Sequence, residues 1–101
     1  MAKKNKSSFY QTGITTDDKP VLGGVYSFFE TQGLPLDVIF ICFMERGWIP
    51  DWIELYKDAH KAGMKHARIL SKLEEAIADS FGKHWSDIVI SRLDNKFKDN
   101  K

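Results

Sequence analysis

Apolar residues recur every three or four positions through most of the chain, and Gly or Pro residues interrupt them at short intervals. The clearest case is the segment 65–81, where Ile69, Leu73 and Ile77 lie four residues apart. Such spacing places the apolar side chains on one face of a helix. The segment 84–97 has a similar pattern, so the sequence predicts two successive amphipathic helices.

Three shorter helices are predicted before these two. The segment 21–32 has two glycines near its start, which favour a helix only from about Val25. The segment 50–62 opens on Pro-Asp, a typical helix start, and is followed by Gly63. The segment 36–46 follows a proline and precedes a glycine, so it carries helix signals at both ends.

The apolar run Val38–Met44 has a second interpretation. Seven consecutive apolar residues, three of them β-branched, also suit a buried strand. However, a single strand cannot satisfy its own backbone groups, and the sequence has no second run of this type. We therefore interpret the run as a central helix, with Phe40 and Leu73 as core residues. The predicted fold class is all-α, a compact domain of five helices.

Both ends of the chain are predicted to lie outside this domain. Residues 1–19 are mostly polar, with three lysines among the first six residues, and bury too little apolar surface to offset the entropy of ordering. Residues 98–101 are polar as well. We expect a flexible arm over 1–19, the helical domain over 20–97 and a frayed C-terminus over 98–101.

Composition agrees with one small folded domain. The chain has 101 residues, of which 43% are hydrophobic, which excludes a disordered or disulfide-rich class. Cys42 is the only cysteine, so no intramolecular disulfide can form, as is typical of a reduced cytoplasm. The longest apolar run has seven residues, well short of the ~20 that cross a membrane. We expect a cytoplasmic protein with no membrane partner.

No residue pattern indicates an enzyme. The three histidines, His60, His66 and His84, have no cysteine partners at zinc-ligand spacing. Three carboxylates share one face of the predicted helix 50–62, but their spacing is typical of a solvated face with lysine partners. Neither a nucleophile signature nor a glycine-rich phosphate loop is present. We expect no catalytic residues, no metal site and no cofactor.

The cations around the predicted turn at Gly63 depart from the pattern of a stable helix. They follow one another at spacings of four, four, three and four residues. Cations in the first turn of a helix oppose its dipole, at about 0.3–1 kcal/mol each. The same position attracts phosphate, because free backbone N–H groups point outward there. The candidate nucleic-acid contacts are Lys57, Lys61, Lys65, His66, Arg68 and Lys72.

The residues Ala59, Gly63, Met64 and Ile69 resemble the helix-turn-helix pattern of DNA-binding proteins. The resemblance implies that the helix 65–81 would enter the major groove, and that the preceding helix would cross the backbone. Short helical proteins of this build also resemble phage regulators and packaging proteins. Our first hypothesis is a small non-enzymatic nucleic-acid-associated protein with DNA as its partner. Because the net charge is only +1, it would bind as a dimer or larger assembly.

The second hypothesis is a helical protein–protein adaptor, which would use either the turn at Trp48 and Ile49 or the aromatic side of the segment 21–32. Trp48 and Ile49 follow the glycine that ends the segment 36–46. Exposed beside Leu34, they would form an apolar patch for a protein partner or a second copy of the chain. The other two tryptophans, Trp52 and Trp85, are expected in the core.

Overall fold

A computed structural model describes residues 9–101, which form five helices and three short strands. The helices are α1 (Val25–Gln32), α2 (Leu36–Arg46), α3 (Trp52–Lys61), α4 (His66–Ser80) and α5 (Lys83–Lys96), and a 3-10 turn, Lys98–Asn100, follows α5. The strands are β1 (Tyr10–Ile14), β2 (Pro20–Gly23) and β3 (Ile49–Pro50). The prediction of five helices is confirmed, and the run Val38–Met44 lies within α2.

The structure is mostly helical, but the all-α class is not exact, because a small three-stranded sheet precedes and interrupts the helices. β1 and β2 form an antiparallel hairpin with a bulge between Gln11 and Gly13, and β2 pairs in parallel with β3. All five residues of β1 are exposed, so β1 lacks the apolar–polar alternation that marks a half-buried strand. β3 has only two residues, too few for any pattern.

The hairpin turn is held by its own polar groups. The Thr15 hydroxyl donates to the Asp17 carboxylate at 2.5 Å, and the Thr15 N–H donates to the Lys19 carbonyl at 2.9 Å. Asp18 has a φ of +66°, a left-handed conformation that Asp tolerates better than most residues. Residues 10–14, assigned to a flexible arm from the sequence, are therefore paired in a sheet. Residues 1–8 lie outside the described residues.

The core surrounds α4, which packs on both α2 and α5. The core residues predicted from the sequence are confirmed, since Phe40 exposes 0% and Leu73 exposes 2% of its surface. The regular spacing in α4 is borne out by the burial of Ile69 and Ile77. The inward face of each helix therefore follows from the apolar period of its sequence.

The two tryptophans expected in the core differ. Trp52 is half-buried and meets the ring of Phe40 edge-on, with centroids 5.4 Å apart. Trp85 is 44% exposed, so its placement in the core was wrong. The inward face of α5 is formed by Ser86, Val89 and Leu93. Ser86 fills that position because its hydroxyl donates to the Glu74 carbonyl of α4 at 2.9 Å.

The last residues of the chain make side-chain contacts with the helices. The Asn100 amide donates to the Tyr56 hydroxyl at 3.3 Å, and the Lys101 ammonium lies 3.4 Å from the Asp94 carboxylate. The Phe97 ring stacks on Tyr56 with centroids 4.1 Å apart. The segment predicted to fray thus contacts both α3 and α5. Within residues 9–101, no helix is both long and apolar enough to cross a bilayer.

Candidate nucleic-acid interface

The connection between α3 and α4 determines where the predicted contact residues lie. Gly63 has a φ of +103°, a conformation that favours glycine, and its N–H donates to the His60 carbonyl. The Met64 N–H donates to the Ala59 carbonyl at 3.1 Å, which ends α3. Ala59 and Ile69 are buried beneath this turn. The four residues of the helix-turn-helix pattern lie in this turn and in the helices that flank it. A turn of this kind does not by itself establish a helix-turn-helix domain, so that assignment stays a prediction.

Four of the predicted cations are exposed around this turn. None of the four belongs to an ion pair within 4.0 Å in the part of the chain that the structure describes. Two lie on the second half of α3, and two lie at the start of α4. We call this group the basic corner; it consists of Lys57, Lys61, Lys65 and Arg68.

The first turn of α4 has no neutralising group of its own. Lys65 is the N-cap residue, and its side chain makes no capping hydrogen bond. The first turn contains no acidic residue. The Ile69 N–H bonds back to the Lys65 carbonyl at 2.9 Å, so the amides before it belong to the unpaired start of the helix. Their partial positive charge adds to that of Lys65 and Arg68.

Acidic residues lie close to the α3 side of the basic corner. Burial is the main cause that raises the pKa of the Asp58 carboxyl, and the nearby Glu54 raises it further. Lys61 opposes this rise, which shows that its charge lies near Asp58. The positive potential is therefore weaker at Lys61 than at the start of α4.

Lys72 lies in a different environment from the basic corner. The residue is half-buried, and its ammonium nitrogen lies 5.6 Å from the centroid of the Phe29 ring. It lines a cleft together with three acidic residues, Asp37, Glu75 and Asp79. On the other side, Lys72 shares a shallow depression with Arg68. Lys72 therefore lies beside the basic corner rather than in it.

His66 is placed in the interior, although the sequence pattern made it a candidate contact. Only 6% of its surface is exposed. Its Nδ1 lies 2.6 Å from the Tyr56 hydroxyl, and its Nε2 lies 2.9 Å from the Asp94 carboxylate. Both ring nitrogens are therefore used within the protein, and the side chain cannot reach a surface ligand. We call this network the His66 cluster; it consists of Tyr56, His66, Asp94, Asn100 and Lys101.

A second polar arrangement was missed at the sequence level. The half-buried Glu54 carboxylate accepts hydrogen bonds from the Gly24 N–H, at 2.6 Å, and from the Tyr10 hydroxyl. The hydrogen bond to Glu54 is the main cause that raises the pKa of Tyr10 to about 12. A Cβ at Gly23 would lie 2.5 Å from this carboxylate, so a larger residue there would displace the Glu54 side chain. The hairpin thus closes directly onto α3.

Asp51 completes this second arrangement at the start of α3. Its carboxylate accepts from the Glu54 N–H at 3.1 Å, as an N-cap does, and from the Thr12 hydroxyl at 2.7 Å. We call the group the Glu54 cluster; it consists of Tyr10, Thr12, Gly24, Asp51 and Glu54. The carboxylates interpreted from the sequence as a solvated face therefore include two that fix the hairpin.

Trp48 and Ile49, the candidate partner contacts, are both half-buried rather than exposed. Successive residues of an extended segment point to opposite sides, and these two line different cavities. Trp48 shares an apolar cavity of about 270 Å³ with Leu34, and its ring centroid lies 5.5 Å from that of Phe43. Ile49 lines a separate cavity of about 360 Å³ beside α5. The expected single patch is therefore divided in two.

Among residues 9–101, no three His, Cys, Asp or Glu side chains come together in a way that could hold a metal ion. Comparison with family models, with curated proteins and with solved structures found no match to the chain.

Proposed function

We propose that the protein is a non-enzymatic nucleic-acid-binding protein, and that the basic corner contacts the phosphate backbone. The observation that carries the proposal is the start of α4. There Lys65 and Arg68 are exposed, and the helix has no acidic residue or side-chain cap in its first turn. Cations in this position weaken an isolated helix. A bound phosphate removes that penalty, because it accepts from the backbone N–H groups and pairs with the cations.

The charge distribution limits how strongly one copy binds. The net charge is +1, and carboxylates of α3 lie close to Lys61. Binding is therefore expected at low salt and is electrostatic in character. Lys65 and Arg68 are the principal contacts, Lys57 and Lys61 add to them, and Lys72 lies at the edge.

The test is fluorescence anisotropy of a labelled DNA duplex, titrated with the protein at several salt concentrations. The variant K65Q/R68Q removes two charges from the corner, so we expect weaker binding and a salt slope lower by about 1.8. The matched control is K19Q/K83Q, which removes the same charge where each lysine pairs with its own carboxylate, Asp17 or Asp87. This control should keep the slope of the parent protein.

Two outcomes would contradict the proposal. One is a parent protein that fails to bind duplex DNA or single-stranded RNA even at low salt. The other is an equal loss in both double variants, because binding would then follow total charge rather than the corner. Circular dichroism of each variant confirms that the fold is retained.

A protein–protein adaptor is the second candidate, and one observation favours it. Leu34, which is exposed, and Trp48 line the same apolar cavity of about 270 Å³. A partner would insert an apolar side chain there. The two candidates differ in their response to salt, since an apolar contact persists at salt concentrations that release a phosphate contact.

A further inference from the structure

An apolar groove of about 360 Å³ separates α5 from the small sheet. Its far side is formed by apolar residues of β2, β3 and α3 together with Thr15 and Asp51, and its near wall is α5. We call it the α5 groove; the residues that matter here are Val21, Ile49, Ile53, Trp85, Ile88 and Arg92.

The near wall of the α5 groove exposes large apolar side chains. Trp85 is 44% exposed and Ile88 is 39% exposed. They lie three residues apart on α5, and Arg92 follows four residues later, so the three form one stripe along the helix. Arg92 belongs to no ion pair and to no cation–π contact among residues 9–101. Within the described residues the stripe therefore ends in a cation without an ion pair or cation–π contact, although Asp51 lines the same groove.

This stripe is complementary to a second copy of itself. If two α5 helices cross in antiparallel fashion beside Ile88, residue 85 of one lies opposite residue 92 of the other. The Arg92 guanidinium then meets the face of a Trp85 indole, and the two-fold axis repeats this contact. The Ile88 side chains pack on each other at the centre and fill the two grooves.

We propose that the protein forms a two-fold symmetric dimer through the α5 groove. A second copy supplies both an apolar stripe for the groove and an aromatic face for the cation. An acidic helix from another protein would satisfy Arg92, but it is not implied by any residue of this chain. The inference is independent of nucleic-acid binding, because none of its residues belongs to the basic corner.

Sedimentation equilibrium of the full chain, from low micromolar to about 1 mM, tests the proposal. We expect a concentration-dependent dimer that I88D abolishes. The matched control is V38D, because Val38 is 39% exposed on α2 and lies outside the groove. This control should dimerise as the parent does, and circular dichroism should show both variants folded.

Arg92 provides a test that does not disturb the apolar stripe. R92E removes both symmetric cation–π contacts, so it should raise the dimer Kd by about 5- to 30-fold. R92K keeps the charge and should raise the Kd less. A parent that stays monomeric throughout, an equal effect of I88D and V38D, or a dimer unaffected by R92E would each overturn the proposal. A monomeric parent would leave the groove to a different protein.

Discussion

The Glu54 cluster and the His66 cluster attach opposite ends of the described chain to the helices, and they do so by different means. In the first, a half-buried carboxylate accepts hydrogen bonds from the Gly24 backbone and from the exposed Tyr10. In the second, a buried imidazole joins Tyr56 of α3 to Asp94 of α5. The first is open to water on one side, whereas in the second Tyr56 and His66 are buried and the other three members reach solvent.

The hydrogen bonds of the His66 cluster can all form with a neutral imidazole ring. With a neutral ring, the Tyr56 hydroxyl donates to Nδ1 and the Nε2–H donates to the Asp94 carboxylate. The Tyr56 oxygen can then accept from the Asn100 amide. Every buried polar atom of the network has a partner, which is the condition under which such a network stabilises a fold.

The two clusters also differ in what they support. His66 is the first residue of α4 and follows Lys65, so its hydrogen bonds hold the start of α4 in place. Glu54 holds the hairpin and the start of α1 instead. Breaking the His66 cluster should therefore affect both stability and the basic corner, while breaking the Glu54 cluster should affect stability alone.

The largest effect is expected for H66A. The variant removes two hydrogen bonds and leaves a cavity, so the free energy of unfolding should fall by about 2–4 kcal/mol in urea titrations. The loosened start of α4 should also weaken binding of duplex DNA. Y56F removes one hydrogen bond and should cost about 1–3 kcal/mol. A loss below about 1 kcal/mol for H66A would show that the cluster does not hold the helix.

The helices could be predicted from the sequence because their signals are local. α2 begins and ends at the residues that its flanking proline and glycine indicate. The two clusters could not be predicted in this way, because they join residues far apart in the chain. Gly24 and Glu54 are 30 positions apart, and His66 and Asp94 are 28 apart.

The burial of His66 did leave one signal in the sequence. His66 precedes Ile69 by three residues and Leu73 by seven, so it lies on the buried face of α4. The neighbouring cations led to the opposite interpretation. The exposure of Lys57, Lys61, Lys65 and Arg68 was predictable because a cation without a partner stays in water. The half-buried position of Lys72 could not be predicted, since its contact with Phe29 joins two separate helices.

A smaller effect is expected for E54Q, which keeps one acceptor oxygen but removes the charge. The free energy of unfolding should fall by about 1 kcal/mol. The pKa of Tyr10, raised to about 12 by the hydrogen bond to Glu54, should return towards 10.0 in an ultraviolet titration. Binding of duplex DNA should not weaken, in contrast to H66A.

The raised pKa of Tyr10 makes the stability of the protein depend on pH, with a definite sign. Tyr10 loses its proton at lower pH in the unfolded chain than in the folded protein. Its contribution to stability is therefore complete below pH 10.0 and is lost as pH rises to about 12. Y10F removes the titrating group and should flatten this alkaline limb. An unchanged alkaline limb in Y10F would mean that other groups produce it.

The smallest effect is expected for D94N, because Asp94 is 43% exposed and water screens its interactions. The hydrogen bond from His66 is the main cause that lowers the pKa of Asp94, and Lys101 lowers it further. As pH falls, the Asp94 carboxyl therefore binds a proton in the unfolded chain before it does so in the folded protein. The stability that Asp94 contributes is therefore complete above pH 3.8, and it is lost as pH falls through the lower pKa of the folded protein.

D94N should reduce the slope of stability against pH in this acid range, whereas E54Q should leave the Asp94 contribution in place. If D94N keeps the acid slope of the parent, the link between His66 and α5 is a packing contact rather than an electrostatic one, and the two clusters would then differ in kind as well as in burial.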